Sequence, residues 1–215
     1  MKKRTTQMLH SGSILVILFA VWTILVQTVD VKPMGETGAL VGLASMNGWF
    51  HRIVGVHMWL YAFTDWLGLV PVGVCLLFAI LGLRQVIKRK GLRNADPDLI
   101  VLGVYYALVI VCYVAFERFP INYRPIFIEG RLEASYPSST TLLVLTVMPT
   151  LVFQTKRRWE KGGKLVTILT MIFSVFTVLG RLIAGVHWLT DIVGSVLLSA
   201  GLFQLYRTAV LVICE

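Results

Sequence analysis

The sequence predicts an all-α polytopic membrane protein: a six-transmembrane helix bundle with an outer interfacial helix, forming a single integral membrane domain over residues 1–215. Composition is the first reason. Of the 215 residues, 57% are hydrophobic and 14% charged, where a soluble domain has roughly 45–50% and about 25%. The mean hydropathy of +0.78 leans the same way. The second reason is six apolar runs, each at or near the length of about 20 residues that crosses roughly 30 Å of hydrocarbon. The third is the basic residues, which gather in alternate connections between those runs. Together these exclude a disordered chain, a disulfide scaffold and a coiled coil.

The first run, residues 13–29, follows Met1-Lys2-Lys3-Arg4 and ends in Val26-Gln27-Thr28-Val29-Asp30. No small-residue cleavage site follows it, so it reads as a retained anchor. Pro33 and Gly35 then open a loop. Residues 38–64 mix Trp49, Phe50, Trp59, Tyr61 and Phe63 with His51, Arg52 and His57, which suits a helix lying in the interface. The second and third runs are 66–83 and 99–116. The fourth, 140–153, is short and contains Pro149, which a helix packed among neighbours tolerates. Gly162-Gly163 marks the turn before the fifth run, 165–183, and the sixth spans 192–214. There is no internal repeat and no low-complexity segment.

Fourteen of the 20 basic residues fall on one side of this layout, and Lys32, Arg52, Arg118, Arg124, Arg131 and Arg181 on the other. Basic connections stay in the cytoplasm, so both termini are expected inside a bacterial plasma membrane. The net charge of +9 is then a topology signal that touches anionic lipid, and it gives no reason to expect nucleic acid. Cys75, Cys112 and Cys214 lie in or beside apolar runs without pairing or metal spacing, and read as small hydrophobes. Trp49, Trp59, Trp66 and Trp188 suit an outer aromatic belt and Trp159 an inner one. Ser195 and Ser199 have the spacing of close helix packing. Asp65 either caps the second run or pairs with an outer arginine, capping being the simpler reading.

Ionisable residues near membrane depth are costly and mark function by default. On the outer side they converge on three places. The connection after the third run holds Glu117, Arg118, Arg124, Glu129, Arg131 and Glu133. The start of the fourth reads Tyr136-Pro137-Ser138-Ser139-Thr140-Thr141, a helix start rich in donors and so an anion site as well as an N-cap. The connection before the sixth runs from Gly180-Arg181 to His187-Trp188-Leu189-Thr190-Asp191. His187 and Asp191 are four apart and share a helix face. A carboxylate on one imidazole nitrogen fixes the tautomer and frees the other as base or nucleophile. Arg181 offers a planar fork suited to phosphate. Taken alone, these residues read equally well as an interfacial histidine, a capping aspartate and a snorkelling arginine. Three arginines, a hydroxyl-rich helix start and a His–Asp pair on one face make a phosphate pocket the more economical reading.

At these residues the sequence resembles the type 2 phosphatidic acid phosphatase family, the membrane lipid phosphate phosphatases related to vanadium haloperoxidases. That family has three motifs in order: Lys-x6-Arg-Pro, Pro-Ser-Gly-His and Ser-Arg-x5-His-x3-Asp. The third is matched as Gly180-Arg181-x5-His187-x3-Asp191, with Gly for the leading Ser. The first is half matched by Arg124-Pro125, with Glu117 at the Lys position and Arg118 one step off. The second is matched by Pro137-Ser138 and departs at Ser139 and Thr140. The resemblance covers the chain from the third run onward. It implies His187 as a nucleophile forming phosphohistidine and Asp191 as its orienting carboxylate. It further implies Arg124 and Arg181 as phosphate ligands with Ser138 and Ser139 beside them. No metal and no other cofactor is implied.

The departures carry their own expectations. The family's second-motif His is its general acid, and Thr140 cannot protonate a leaving group at neutral pH. General acid catalysis is typically worth about 10² to 10⁴-fold, a loss that matters for an alkoxide and much less for a phosphate leaving group. A polyprenyl diphosphate therefore fits better than a phosphate monoester. Glu117 at the Lys position opposes an anion unless paired with Arg118 or Arg124, and Arg118 stands where it could restore the missing cation. His51 and His57 fit the interfacial helix better than the chemistry. The alternatives are a catalytically degenerate member that binds or moves a lipid phosphate without hydrolysing it, and a small channel or transporter.

Overall fold

The computed structural model describes residues 2–159 and 163–214. Gly162, one half of the expected inner turn, lies outside the described residues, and Gly163 opens a helix. The helices are α1 (Lys2–Thr28), α2 (Ala44–Val54), α3 (Met58–Leu67), α4 (Leu69–Lys88), α5 (Pro97–Arg118), α6 (Ser139–Arg158), α7 (Gly163–Ile183) and α8 (Leu189–Cys214). A short antiparallel hairpin, β1 (Lys32–Met34) and β2 (Ala39–Val41), joins α1 to α2.

Five stretches are long and apolar enough to cross a membrane: α1, α3 with α4 over Met58–Lys88, α5, α7 and α8. Their outward residues, such as Ile17, Leu76, Ile110 and Ile172, are large and exposed, as expected of an integral membrane protein in a solvent of lipid tails. α6 has the length but not the hydropathy. Thr140, Thr141, Thr146, Thr150 and Gln154 are buried along it, each with a partner in hydrogen-bond reach or packed inside the bundle. Thr146 Oγ1 donates to Leu142 O at 2.7 Å, Tyr106 OH meets Thr150 Oγ1 at 2.6 Å, and Gln154 Nε2 donates to Tyr206 OH at 2.8 Å. The helix runs through Pro149. That proline removes the donor for the carbonyl four residues back, and Tyr105 OH donates to the neighbouring Thr146 O at 3.1 Å.

α1 and α8 lie against one another, and small residues set their distance. A Cβ on Gly201 would stand 2.8 Å from Val16 Cγ2, and one on Gly12 3.0 Å from Leu205 Cδ2. The same contacts put the N-terminal part of α1 beside the C-terminal part of α8, so both termini lie at one end of the bundle. The connections at 29–43, 55–57, 119–138 and 184–188 lie at the other end, and the site is there. At the terminal end, Arg158 reaches Asp98 Oδ1 at 2.9 Å and Asp96 Oδ2 at 3.1 Å, clamping α6 to the start of α5.

The stretch read as one interfacial helix is two, α2 and α3, and α3 continues almost directly into α4. α2 is fixed through buried Asn47, whose amide donates to Gly42 O at 2.9 Å and Thr190 Oγ1 at 3.0 Å and accepts Thr190 N–H at 3.2 Å. Trp49, Trp59, Trp66 and Trp159 are exposed, as a belt requires, but Trp188 is 1% exposed and donates its indole N–H to Tyr123 O at 2.8 Å. The belt reading of Trp188 is therefore corrected: it walls the site.

Candidate active site

Three segments build the site. Residues 122–135 fold back as an irregular hairpin, in which Arg124 N–H donates to Glu133 O at 3.1 Å and Ser135 N–H to Asn122 O at 2.9 Å. Outside it, Glu36 N–H and Thr37 Oγ1 donate to Pro125 O and Arg124 O at 2.8 and 3.2 Å. The second segment is 184–188 between α7 and α8. Gly185 takes φ +69 and packs its Cα against the carbonyl of Gly55, where no side chain fits. Beside it His57 N–H donates to Ala184 O at 2.9 Å, so this loop is held on the α2–α3 junction. The third is α3, which brings Tyr61 and Asp65.

His187 sits where they meet, 3% exposed. Its Nδ1 lies 3.1 Å from Ser135 O, 3.2 Å from Ser135 Oγ and 3.7 Å from Asp191 Oδ2. Ser135 Oγ itself donates to Asp191 Oδ2. Every group facing Nδ1 is thus an acceptor, and Nδ1 carries the hydrogen. Nε2 is left with its lone pair, and the group it meets is a donor, Arg181 Nη2 at 3.1 Å. This network assigns the tautomer. Burial, with the Arg124 and Arg181 guanidiniums close by, holds the His187 pKa well below the ordinary histidine range. The imidazole is neutral, and its lone-pair nitrogen faces Arg181.

Asp191 also receives Trp188 N–H at 2.8 Å and Asn122 Nδ2 at 3.4 Å, and Thr190 Oγ1 stands at 3.5 Å. Arg181 is fully buried and Arg124 is 7% exposed. Both guanidiniums lie over the Tyr61 ring, at 4.7 and 5.4 Å from its centroid. Their partners are incomplete: Arg181 Nη1 is 3.5 Å from Asp65 Oδ1, and Arg124 Nε is 3.1 Å from Glu133 Oε2 without being aligned to donate to it. Among the described residues, Arg181 Nε and Arg124 Nη1 have no hydrogen-bond partner. Buried unsatisfied donors are uncommon and cost roughly 1–3 kcal/mol each, more when charged. Two of them on adjacent guanidiniums leave N–H donors that an anion could take up.

Arg124, Arg181, His187 and Asp191 therefore converge as expected. Ser138 is buried, but its Oγ donates to Thr141 Oγ1 at 3.0 Å and its N–H to Asp191 O at 3.3 Å. Its hydroxyl bonds within the first turn of α6, and its amide and carbonyl, the latter accepting from Ser195 Oγ at 3.0 Å, brace that turn against α8. Ser139 lines both cavities that adjoin the site. One, of about 380 Å³, is also lined by Glu117, Arg124, Arg131, Glu133 and Ser135. The other, of about 280 Å³, takes in Asp65, Thr140, Val109, Ile110 and Leu143 and opens between α5 and α6. Glu117 is thus at the polar cavity, while Arg118 is exposed at the end of α5 and lines neither. Among the described residues no three His, Cys, Asp or Glu side chains gather as a metal would need. Ser135, Asn122 and Tyr61 are the site residues that sequence reasoning missed, and Asp65 reads from the sequence as a cap or an arginine partner. Only Asp65, an acid at a span end, carried a signal, and it pairs with Arg181 rather than capping.

Fold and site together define an integral membrane protein with a buried histidine set against an arginine clamp. Residues 112–212 match the family model described as the PAP2 superfamily, the family whose motifs the sequence resembles. Among solved structures the chain is similar to the first transmembrane PAP2 type phosphatidylglycerolphosphate phosphatase from Bacillus subtilis, with a TM-score of 0.63 and 19% identity over 96% of this chain and 98% of that one. That likeness is one of fold. No curated protein matches the chain.

Proposed function

We propose that the chain is a lipid phosphate phosphatase that works through a phosphohistidine at His187. The observation that carries this reading is the polarity of the His187 ring: Nδ1 is enclosed by acceptors and Nε2 faces Arg181. A phosphoryl group arriving at the clamp would take over the Arg181 N–H, freeing the Nε2 lone pair for in-line attack. Arg124 and Arg181 would hold the equatorial oxygens, where charge spreads in a phosphoryl transition state. Asp191 would stabilise the ring as it becomes cationic. Ser139 would offer a hydroxyl at the cavity, and Ser138 would act through the start of α6.

Lipid access is supported by the 280 Å³ cavity, whose Val109, Ile110 and Leu143 give an acyl or prenyl chain an apolar path to the polar cavity beside it. The excess of basic residues at the end that holds both termini supports a cytoplasmic placement of that end and an outward-facing site, with α6 as the sixth span. Thr140 at the place of the second-motif histidine favours a leaving group that departs unprotonated, and so a polyprenyl diphosphate over a phosphate monoester.

The test is phosphate release by the purified protein from phosphatidic acid, phosphatidylglycerol phosphate and a polyprenyl diphosphate, with His187→Ala as blank. Release that is lost in His187→Ala supports the enzyme, and fastest release from a monoester defeats the diphosphate preference. Substrate bound by both forms and released by neither identifies a lipid phosphate binder instead.

A further inference from the structure

If His187 is phosphorylated, the intermediate must be hydrolysed, and water attacking phosphorus has to lose a proton. Thr140 cannot accept it. Asp65 is placed to do so. Its Oδ1 lies 3.5 Å from Arg181 Nη1, while Nη2 of the same guanidinium lies 3.1 Å from His187 Nε2. Carboxylate and nucleophile thus occupy the two ends of one arginine fork, and a phosphoryl group held by that fork has His187 on one side and Asp65 on the other. Asp65 also lines the same cavity as Thr140. The α3–α4 junction that carries it approaches Thr140 closely, since a Cβ on Gly68 would meet Thr140 Cγ2 at 3.4 Å.

Among the neighbouring acids and imidazoles, Glu117 lines the polar cavity and not the one that Asp65 shares with Thr140, and the others are committed elsewhere. Asp191 is enclosed by Ser135, Trp188 and Asn122 on the Nδ1 side. Glu133 stands against Arg124, His57 Nε2 is bonded to Val54 O at 2.9 Å, and His51 packs on Trp188. The Asp65 side chain, 58% exposed, can pass a proton on, whereas Asp191 at 0% cannot.

We infer that Asp65 is the general base of the dephosphorylation step, supplied by α3 in place of the missing second-motif histidine. This rests on the phosphohistidine reading above. In the step, a water oxygen forms a bond to phosphorus as the Nε2–P bond breaks. The electron pair returns to Nε2, the water proton passes to the Asp65 carboxylate, and inorganic phosphate leaves. Asp65 then releases its proton to solvent. The leaving group of the first step departs without help from Asp65, so the two half-reactions separate.

The experiment is rapid-quench kinetics on the purified protein with farnesyl diphosphate labelled in its terminal phosphate, comparing wild type, Asp65→Asn, Asp65→Ala and His187→Ala. Asp65→Asn should give a burst approaching one product per site and then turn over about 10²–10⁴-fold more slowly. Its label should accumulate on protein as an acid-labile, alkali-stable phosphoramidate. Formate should restore turnover to Asp65→Ala. A slow Asp65→Asn without protein-bound label, or one as fast as wild type, overturns the assignment while leaving the nucleophile intact. Label that persists in His187→Ala overturns the phosphohistidine itself and the assignment with it.

Discussion

Ser135 is the most exposed point of the site's logic, because nothing but geometry assigns it a role. Its hydroxyl donates to Asp191 and stands 3.2 Å from His187 Nδ1, while its carbonyl faces the same nitrogen at 3.1 Å. Ser135→Ala removes the hydroxyl and keeps the carbonyl. Asp191 would then retain one short donor, Trp188 N–H at 2.8 Å, with Asn122 and Thr190 at the edge of hydrogen-bond distance, 3.4 and 3.5 Å. A hydrogen bond to a charged group is worth about 1.5–3 kcal/mol. If it acts only when His187 becomes cationic in the transition state, kcat falls by that amount, about 10- to 150-fold. KM should stay within about threefold, since ground-state binding rests on the arginines. The assay is steady-state phosphate release in detergent with the polyprenyl diphosphate, alongside a melting curve to show the fold intact. An unchanged kcat, or a loss confined to KM, refutes the reasoning.

Thr140→His should raise monoester hydrolysis by up to about 10²–10⁴-fold while changing diphosphate hydrolysis little, because it returns a proton donor where only an alkoxide needs one; parallel rates on phosphatidic acid and a polyprenyl diphosphate check it. In the wild type, the lowered pKa of His187 keeps the ring neutral, so on the proposed mechanism kcat/KM should be flat from pH 8 down past about 6.5, the ordinary histidine value, and fall only below it as the ring protonates. Arg124→Gln removes a cation that opposes protonation, so its acid limb should move up in pH, read from the kcat/KM profile. Asn47→Ala strips partners from Gly42 O and Thr190 at a fully buried position and should cost roughly 2–4 kcal/mol, seen as a lower melting temperature.

The helices were legible because lipid imposes one rule on outward faces, and the runs at 13–29, 99–116, 165–183 and 192–214 obey it. The margins were less so. α1 and α5 extend beyond their apolar runs with polar and charged ends, where the helix continues into the interface, and α8 starts earlier, at Leu189, with Thr190 and Asp191 buried in the site. The second run reads only from Trp66 because α3 carries Tyr61, Thr64 and Asp65, polar groups that lower its hydropathy. α6 reads as the weakest span for a related reason. It is nearly surrounded by protein, so its threonines satisfy themselves on its own carbonyls and on tyrosines of α5, and hydropathy measures the wrong neighbour.

The site was half legible, and the division follows chemistry. Arg181, His187 and Asp191 sit on or beside membrane helices, where a polar side chain needs a reason. On α7 the inward residues Thr170, Ser174, Thr177 and Arg181 are all buried at helical spacing of four, three and four, so one stripe leads to the clamp. Ser135 and Asn122 lie in a loop where serine and asparagine are ordinary, and their roles arise only when the hairpin folds Asn122 O onto Ser135 N–H. Tyr61 was hidden among interfacial aromatics. Yet its ring lies under both guanidiniums, whose carboxylate contacts are one long hydrogen bond from Arg181 to Asp65 at 3.5 Å and one unaligned approach of Arg124 Nε to Glu133. Such a pair is costly to bury without a counter-anion. The clamp therefore holds, ready-made, the electrostatic deficit that a phosphoryl group would fill, and the aromatic beneath it keeps the two arginines converged.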